Sequence, residues 1–245
     1  MSAPTLHEPR TYRDFGNADR FVAFRVVVEQ SDLYVKAHRA LHKETEELTK
    51  ACRSDIVAAI ARRAEFLKSL VPIDEDPKDA VIATRMVKAG LKAGTGPMAA
   101  VAGAVADFVG QALLKLSREV IIENGGDIFL KVDHPIVVGL FAGKSPFGDR
   151  MGLQIKPTAL PLGICTSSAT VGPSLSLGRA DAATVVSRDV PLADAVATAL
   201  GNRIKDAGDL KNAVEWALSI PGVDGALGVI GDRIAAAGNV ELVPL

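Results

Sequence analysis

Several groupings of residues in this chain have the types and spacing to do chemistry. Asp194 and Thr198 stand four apart in LADAVATAL, which on a helix puts a carboxylate and a hydroxyl on one face. Two hard oxygens aligned this way suit Mg2+, which takes few protein ligands and keeps positions for waters and substrate phosphates; the same pair near a helix start also serves as an ordinary cap. Asn124, Gly125, Gly126 and Asp127 close an apolar strand. They read either as a tight hairpin turn or as a place where a ligand comes close to backbone, with Asn124 and Asp127 as polar contacts. Thr166, Ser167, Ser168 and Thr170 follow Cys165 at the end of another strand, where bunched hydroxyls bind an anion or carry a nucleophile. With no Gly-x-Ser-x-Gly elbow and no His nearby, a hydrolytic triad is set aside. Cys165 reads as a small buried hydrophobe or, alternatively, as a reactive thiol.

Gly94, Thr95 and Gly96 precede Pro97 and a run of small residues, and with Ala99 and Glu123 they formally match a dinucleotide fingerprint. Two features argue against it. The preceding TRMVKAGLKA is charged and helical rather than a buried strand, and Pro97 removes an N–H where a pyrophosphate needs donors. What remains is a helix start able to hold a phosphate or carboxylate, or a plain turn between packed helices. His38, His42 and Glu46 share one helical face at metal-like spacing, but the dense charge and the lack of an HExxH pattern favour a solvated face.

The elements that must position these groups follow from periodicity. FVAFRVVVE and LYVKA predict a hairpin, and apolar positions three or four apart from Leu48 to Leu70 predict one long helix over about 43–70. Helices are also predicted over 78–92, from Pro97 to about 117, and over 192–205 and 210–219. EVIIEN, IFLKV, IVVGLFAG, GLQIK, LPLGICT, ADAATVVS, GALGVIG, RIAAAG and VELVPL read as strands. Strands in hairpin-like groups predict an α+β fold rather than a doubly wound parallel sheet. Residues 1–20 read as an N-terminal arm and 21–245 as a single domain.

Composition narrows the classes. A chain of 245 residues with 48% hydrophobic content buries a large core, and 28 basic against 29 acidic side chains give no electrostatic footprint for nucleic acid or an anionic membrane. No apolar stretch approaches the roughly 18 residues that span a bilayer. The first residues carry neither a basic start nor an apolar core, so a cytoplasmic location is expected. Cys52 and Cys165 are too few for a disulfide scaffold. The sequence leaves homo-oligomerisation open.

Taken in order, GTGPMAAVAGAVAD, ENGGDIFL, CTSSATVGPSLSLGRADAATVV and LADAVATALGN resemble a family distantly related to the ApbE-like FAD:protein FMN transferases. The resemblance covers roughly residues 10–240 and is densest between Gly94 and Asn202. It implies an α+β, tunnel-fold-like architecture of two similar, intertwined subdomains with mostly antiparallel sheets and packed helices. It implies FAD and Mg2+ as cofactors, a phosphorylated small molecule as ligand, and a Mg-dependent flavinyl or nucleotidyl transfer. The metal ligands it implies are Asp194, Thr198 and the main-chain carbonyl at Val101. The ligand site it implies is Gly94, Thr95, Gly96, Asn124, Gly125, Gly126, Asp127, Thr166, Ser167, Ser168 and Thr170. The chain departs from the transferases where VGPSLSLGRAD replaces their His-Ile-Ile-Asp-Pro segment, and Pro173 stands where their His is expected. Relatives are associated with sulfur assimilation toward homocysteine, which implies an alternative as a sulfur-pathway factor or partner using Cys165. A third reading is a ligand-binding module without catalysis.

Overall fold

The computed structural model describes residues 20–143, 145–148, 150–157, 159–169 and 177–245. The expected N-terminal arm, apart from Arg20, and Thr170 and Pro173 lie outside them. Eleven strands and six α-helices run β1 (Val22–Val28), β2 (Ser31–Ala37), α1 (His42–Arg62), α2 (Ala64–Lys68), α3 (Val81–Ala93), α4 (Val101–Leu113), β3 (Val120–Asn124), β4 (Asp127–Lys131), β5 (Ile136–Gly139), β6 (Met151–Ile155), β7 (Leu162–Ser167), β8 (Ala182–Ser187), α5 (Val190–Arg203), α6 (Leu210–Leu218), β9 (Val223–Ile230), β10 (Arg233–Gly238) and β11 (Leu242–Pro244) among the described residues. Short 3-10 turns at Pro97–Ala100 and Ala207–Asp209 precede α4 and α6.

The main sheet has eight strands in the order β1-β2-β3-β4-β7-β8-β9-β10, every neighbouring pair antiparallel. Its order exposes a repeat: β1-β2, helices, β3-β4 is followed by β7-β8, helices, β9-β10, and the halves join edge to edge where β4 pairs with β7. The expected α+β architecture of two similar halves is what the chain adopts. Two-residue turns close corresponding hairpins, Asn124 opposite Asp127 in the first half and Ile230 opposite Arg233 in the second.

Period-2 alternation sends Phe24, Val26, Leu33, Val35, Ile122, Phe129, Cys165 and Val185 to the helical side, where the larger core lies. The opposite face of β4, β7, β8 and β9 carries a second apolar cluster, closed by the small sheet β11-β6-β5. Helix α5 is buried from Val190 to Ala197 and again from Ala199 to Gly201, so apolar residues surround it almost completely. Close packing of α4 rests on glycine: a Cβ at Gly110 would stand 2.2 Å from the ring of Phe129.

Two helices are shorter than their periodicity suggests. The predicted helix over 43–70 breaks at Arg63, which is extended (φ −138°, ψ 101°), and resumes as α2 with Phe66 fully buried. The break lets the Arg63 guanidinium reach Asp79 and the Asp74 carbonyl while lying over the Phe66 ring, contacts a straight helix denies it. At the other helix, a 3-10 turn precedes α4, whose last turn closes at Leu113 rather than near residue 117. Arg85 on α3 bonds Asp107 on α4 and, at 3.2 Å, Asp189 just before α5, fixing the three helices that carry the site.

Glu119, at the entry to β3, is 2% exposed and accepts bonds from Arg20 (2.9 and 3.0 Å), from His38 Nε2 when that nitrogen is protonated (3.0 Å), and from the Asp133 N–H (2.8 Å). Burial pushes its carboxyl up, but these partners together outweigh burial and hold it down at about 2. A lowered carboxyl contributes stability above the unfolded value that is lost as pH falls through the folded one. Glu119→Gln is therefore expected to cost about 2–3 kcal/mol at neutral pH, with the difference from wild type shrinking as pH drops from about 4.5 toward 2. Urea unfolding at a series of pH values checks it.

Candidate functional site

The densest chemistry lies where the two halves of the sheet meet beneath α4 and α5. Asn124, Asp127, Cys165 and Val185 form one row across β3, β4, β7 and β8, because residues paired across an antiparallel ladder share a face. That row faces the helices. Asn124 Nδ2 donates to the Ala102 carbonyl at 3.0 Å, tying the turn to the start of α4. From α5, Asp194 Oδ2 accepts the Gly103 N–H at 2.8 Å, and the neighbouring Ala102 amide also favours its charge.

Gly103 is required there. A Cβ on it would stand 2.8 Å from Asp194 Cβ and 2.9 Å from the Val190 carbonyl. The turn needs glycine for a different reason: Gly125 and Gly126 adopt φ of 69° and 104°, in the left-handed region. Glu123, which the motif reading used only as a formal ribose partner, holds this turn by accepting the Gly126 N–H at 2.9 Å and is 5% exposed. Its position directly before Asn-Gly-Gly was the available signal, since a carboxylate there reaches the turn's free amide.

Electrostatically the site is a pair of buried carboxylates. Burial pushes Asp194 up to about 7 against the amides of Gly103 and Ala102, which favour its charge. Burial also raises Asp127 well above the ordinary carboxylate range, and the charge of Asp194 raises it further. Asp127 Oδ1 is buried with no hydrogen-bond partner among the described residues. Such an orphaned oxygen beside a second carboxylate is a place for a cation or a ligand donor.

No group of three or more His, Cys, Asp or Glu side chains among the described residues is disposed to hold a metal. A cation here would rely on two carboxylates plus neutral oxygens, a donor set that fits Mg2+ and not a thiolate or imidazole metal. Thr198 is half-buried one turn beyond Asp194, and Val101 opens α4 two residues before Gly103.

Other expected residues fall around this centre with different roles. Thr166 adjoins Cys165 on β7; its hydroxyl bonds that of Thr184 at 2.9 Å, and its carbonyl lies 3.3 Å from where a Gly126 Cβ would be. Ser167 ends β7 beside Gly201 of α5, and Ser168 follows. Gly94, Thr95 and Gly96 have local structural causes. Gly94 caps α3 at φ 75°, and Gly96 lies where a Cβ would run into the Ser69 carbonyl at 1.8 Å. Thr95 is buried, its hydroxyl without a partner among the described residues. Of the N–H groups at the start of α4, that of Gly103 is taken by Asp194.

The sulfur reading requires Cys165 to be exposed beside a positive group. Cys165 is fully buried, and burial followed by the charges of Asp127 and Asp194 pushes its thiol well up. That requirement is not met. His38 pairs with Glu119, and His42 lies against the Phe24 ring, so the spacing with Glu46 builds no metal site.

The family model described as AbpE bacteria matches residues 13–217. The chain belongs to that family. A UPF0280 protein of Methanocella arvoryzae is 45% identical over 218 residues, spanning 88% of this chain and 88% of its own length. A UPF0280 protein of Methanosarcina acetivorans is 41% identical over 203 residues, spanning 81% of this chain and 79% of its own. Among solved structures, the flavin transferase ApbE from Vibrio cholerae superposes with a TM-score of 0.56 at 11% identity, covering 91% of this chain and 97% of that one. This chain thus shares the fold of that ApbE protein, as the sequence strings suggested. No single helix among the described residues is long and apolar enough to cross a membrane.

Two expectations follow. Both buried carboxyls have folded values above the unfolded ones, so their contribution to stability is complete at or below the ordinary carboxylate range and is lost as pH rises toward 7. In metal-free buffer the melting temperature should fall over that window, and Asp194→Asn should flatten the fall; a wild-type profile flat over the window contradicts it. Gly103→Ala should cost about 1–3 kcal/mol by chemical denaturation, because the added methyl must displace either α5 or the Asp194 side chain.

Proposed function

We propose that this protein binds FAD, or another phosphorylated ligand, together with Mg2+ at the junction of Asn124–Asp127, Thr166–Ser168 and the Asp194/Thr198 face of α5, and transfers a flavinyl or nucleotidyl group. The observation that carries the reading is the buried Asp127 and Asp194 pair with its unpartnered oxygen, set against a glycine turn. The fold held in common with a flavin transferase supports it.

Asp194 and Asp127 would hold the cation, with Thr198 and the Val101 carbonyl as further oxygens. A divalent cation so held would supply positive charge against a pyrophosphate. The chain's own residues do the rest. Gly125 and Gly126 leave the backbone bare for close approach of the ligand, Glu123 freezes their conformation, and Asn124 fixes the turn against α4. Asp194, by accepting the Gly103 N–H, sets its own orientation before any ligand arrives. Burial keeps water from the carboxylates, so a charge placed between them is screened little.

Isothermal titration of the full chain with FAD, with and without Mg2+, tests the reading. Binding is expected to depend on Mg2+ and to weaken at least about tenfold in Asp127→Asn, which keeps the shape while removing a charge. Asp194→Asn should do the same, with an unchanged circular dichroism spectrum. Absence of FAD binding in either condition, or equal binding without metal, overturns it.

A further inference from the structure

The two-fold repetition of the fold places a second hairpin turn, Ile230 to Arg233, where the first half has Asn124 to Asp127. The resemblance extends to its support: Asp181 Oδ2 accepts the Gly231 N–H at 2.7 Å, as Glu123 accepts that of Gly126, and Gly231 is left-handed at φ 56°. Beside this turn lies a cavity of about 660 Å3, within the roughly 300–1,000 Å3 range of small-molecule sites. None of the described residues that line it belongs to the Asp127 and Asp194 centre.

Chemistry in the second half is inverted. The place that Asp127 takes at the start of β4 is taken by Arg233 at the start of β10, and Arg179 and Lys205 line the same cavity. Three acids, Asp181, Asp206 and Asp232, line it as well. Asp181 holds Gly231, and Asp206 holds the Gly208 N–H at 2.7 Å. Among the described residues no carboxylate pairs with Arg179 or Lys205, and Arg233 has only the exposed Asp232, at 3.7 Å. The Lys205 ammonium donates to the Leu177 carbonyl, which anchors it without neutralising it.

We propose that this cavity is a second ligand site, for a small phosphate-bearing molecule, with Arg179, Lys205 and Arg233 as its cationic wall. Two guanidinium forks and one ammonium match the several oxygens of a phosphate better than the single planar face of a carboxylate. The site does not depend on the metal or flavin reading.

The probe is inorganic pyrophosphate, titrated calorimetrically into the full chain in metal-free buffer, with malonate as the carboxylate comparison. Saturable pyrophosphate binding is expected, weakened at least about tenfold in the Arg179→Gln/Arg233→Gln double variant and unchanged in Asp194→Asn. The substituted arginines are exposed, so the melting temperature should hold; Lys205→Gln serves as an independent variant should it not. Binding that survives both sets of substitutions, binding lost in Asp194→Asn, tighter binding of malonate, or no binding at millimolar pyrophosphate overturns the proposal.

Discussion

Asp194 is a carboxylate buried on an otherwise apolar helix, and among the described residues the hydrogen bond that compensates it comes from the Gly103 amide at the start of α4. Burying a charged carboxylate is costly, so the helix geometry around it is tightly constrained. Gly103 must present its N–H, which places α4 against α5; that closeness excludes a side chain at position 103. The 3-10 turn at Pro97–Ala100 and the Arg85 bridge to Asp107 and Asp189 hold this arrangement from two further directions.

Around that constraint the sheet supplies the second acid. Antiparallel pairing at the junction of the two halves puts Asp127 opposite Cys165, on the face that α5 covers. The thiol is thereby surrounded by negative charge and apolar packing, which suppresses its ionisation. One location thus has two outcomes: it brings two carboxyls together in a low-dielectric space, and it disfavours ionisation of the cysteine.

Repetition also explains how one fold can present hairpin turns of opposite charge. Each half closes with a two-residue hairpin turn braced by a carboxylate from a neighbouring position, so the backbone framework is the same. In the first half the turn is enclosed by α4 and α5 and carries an acid; in the second it is open to solvent and carries a base. The framework sets the place of the turn, and the side chain at the first strand position sets the sign of its charge.

Local chemistry was legible from the chain alone. Alternation and helical spacing marked the strands and helices, Asn-Gly-Gly-Asp marked its turn, and the order of the four long strings marked the family. Periodicity did not reveal the break at Arg63, because the apolar spacing continues through it and the cause lies in Asp79 and the Asp74 carbonyl, distant in sequence. Nor did it show that Gly94 and Gly96 serve as a helix cap and a close contact with Ser69. Asp194 looked like a cap or a solvated residue by spacing. Only the packing of α5 under α4 and against β7 buries it beside Asp127, since which carboxylates share a low-dielectric space depends on contacts between segments almost seventy residues apart, a relation no local pattern encodes.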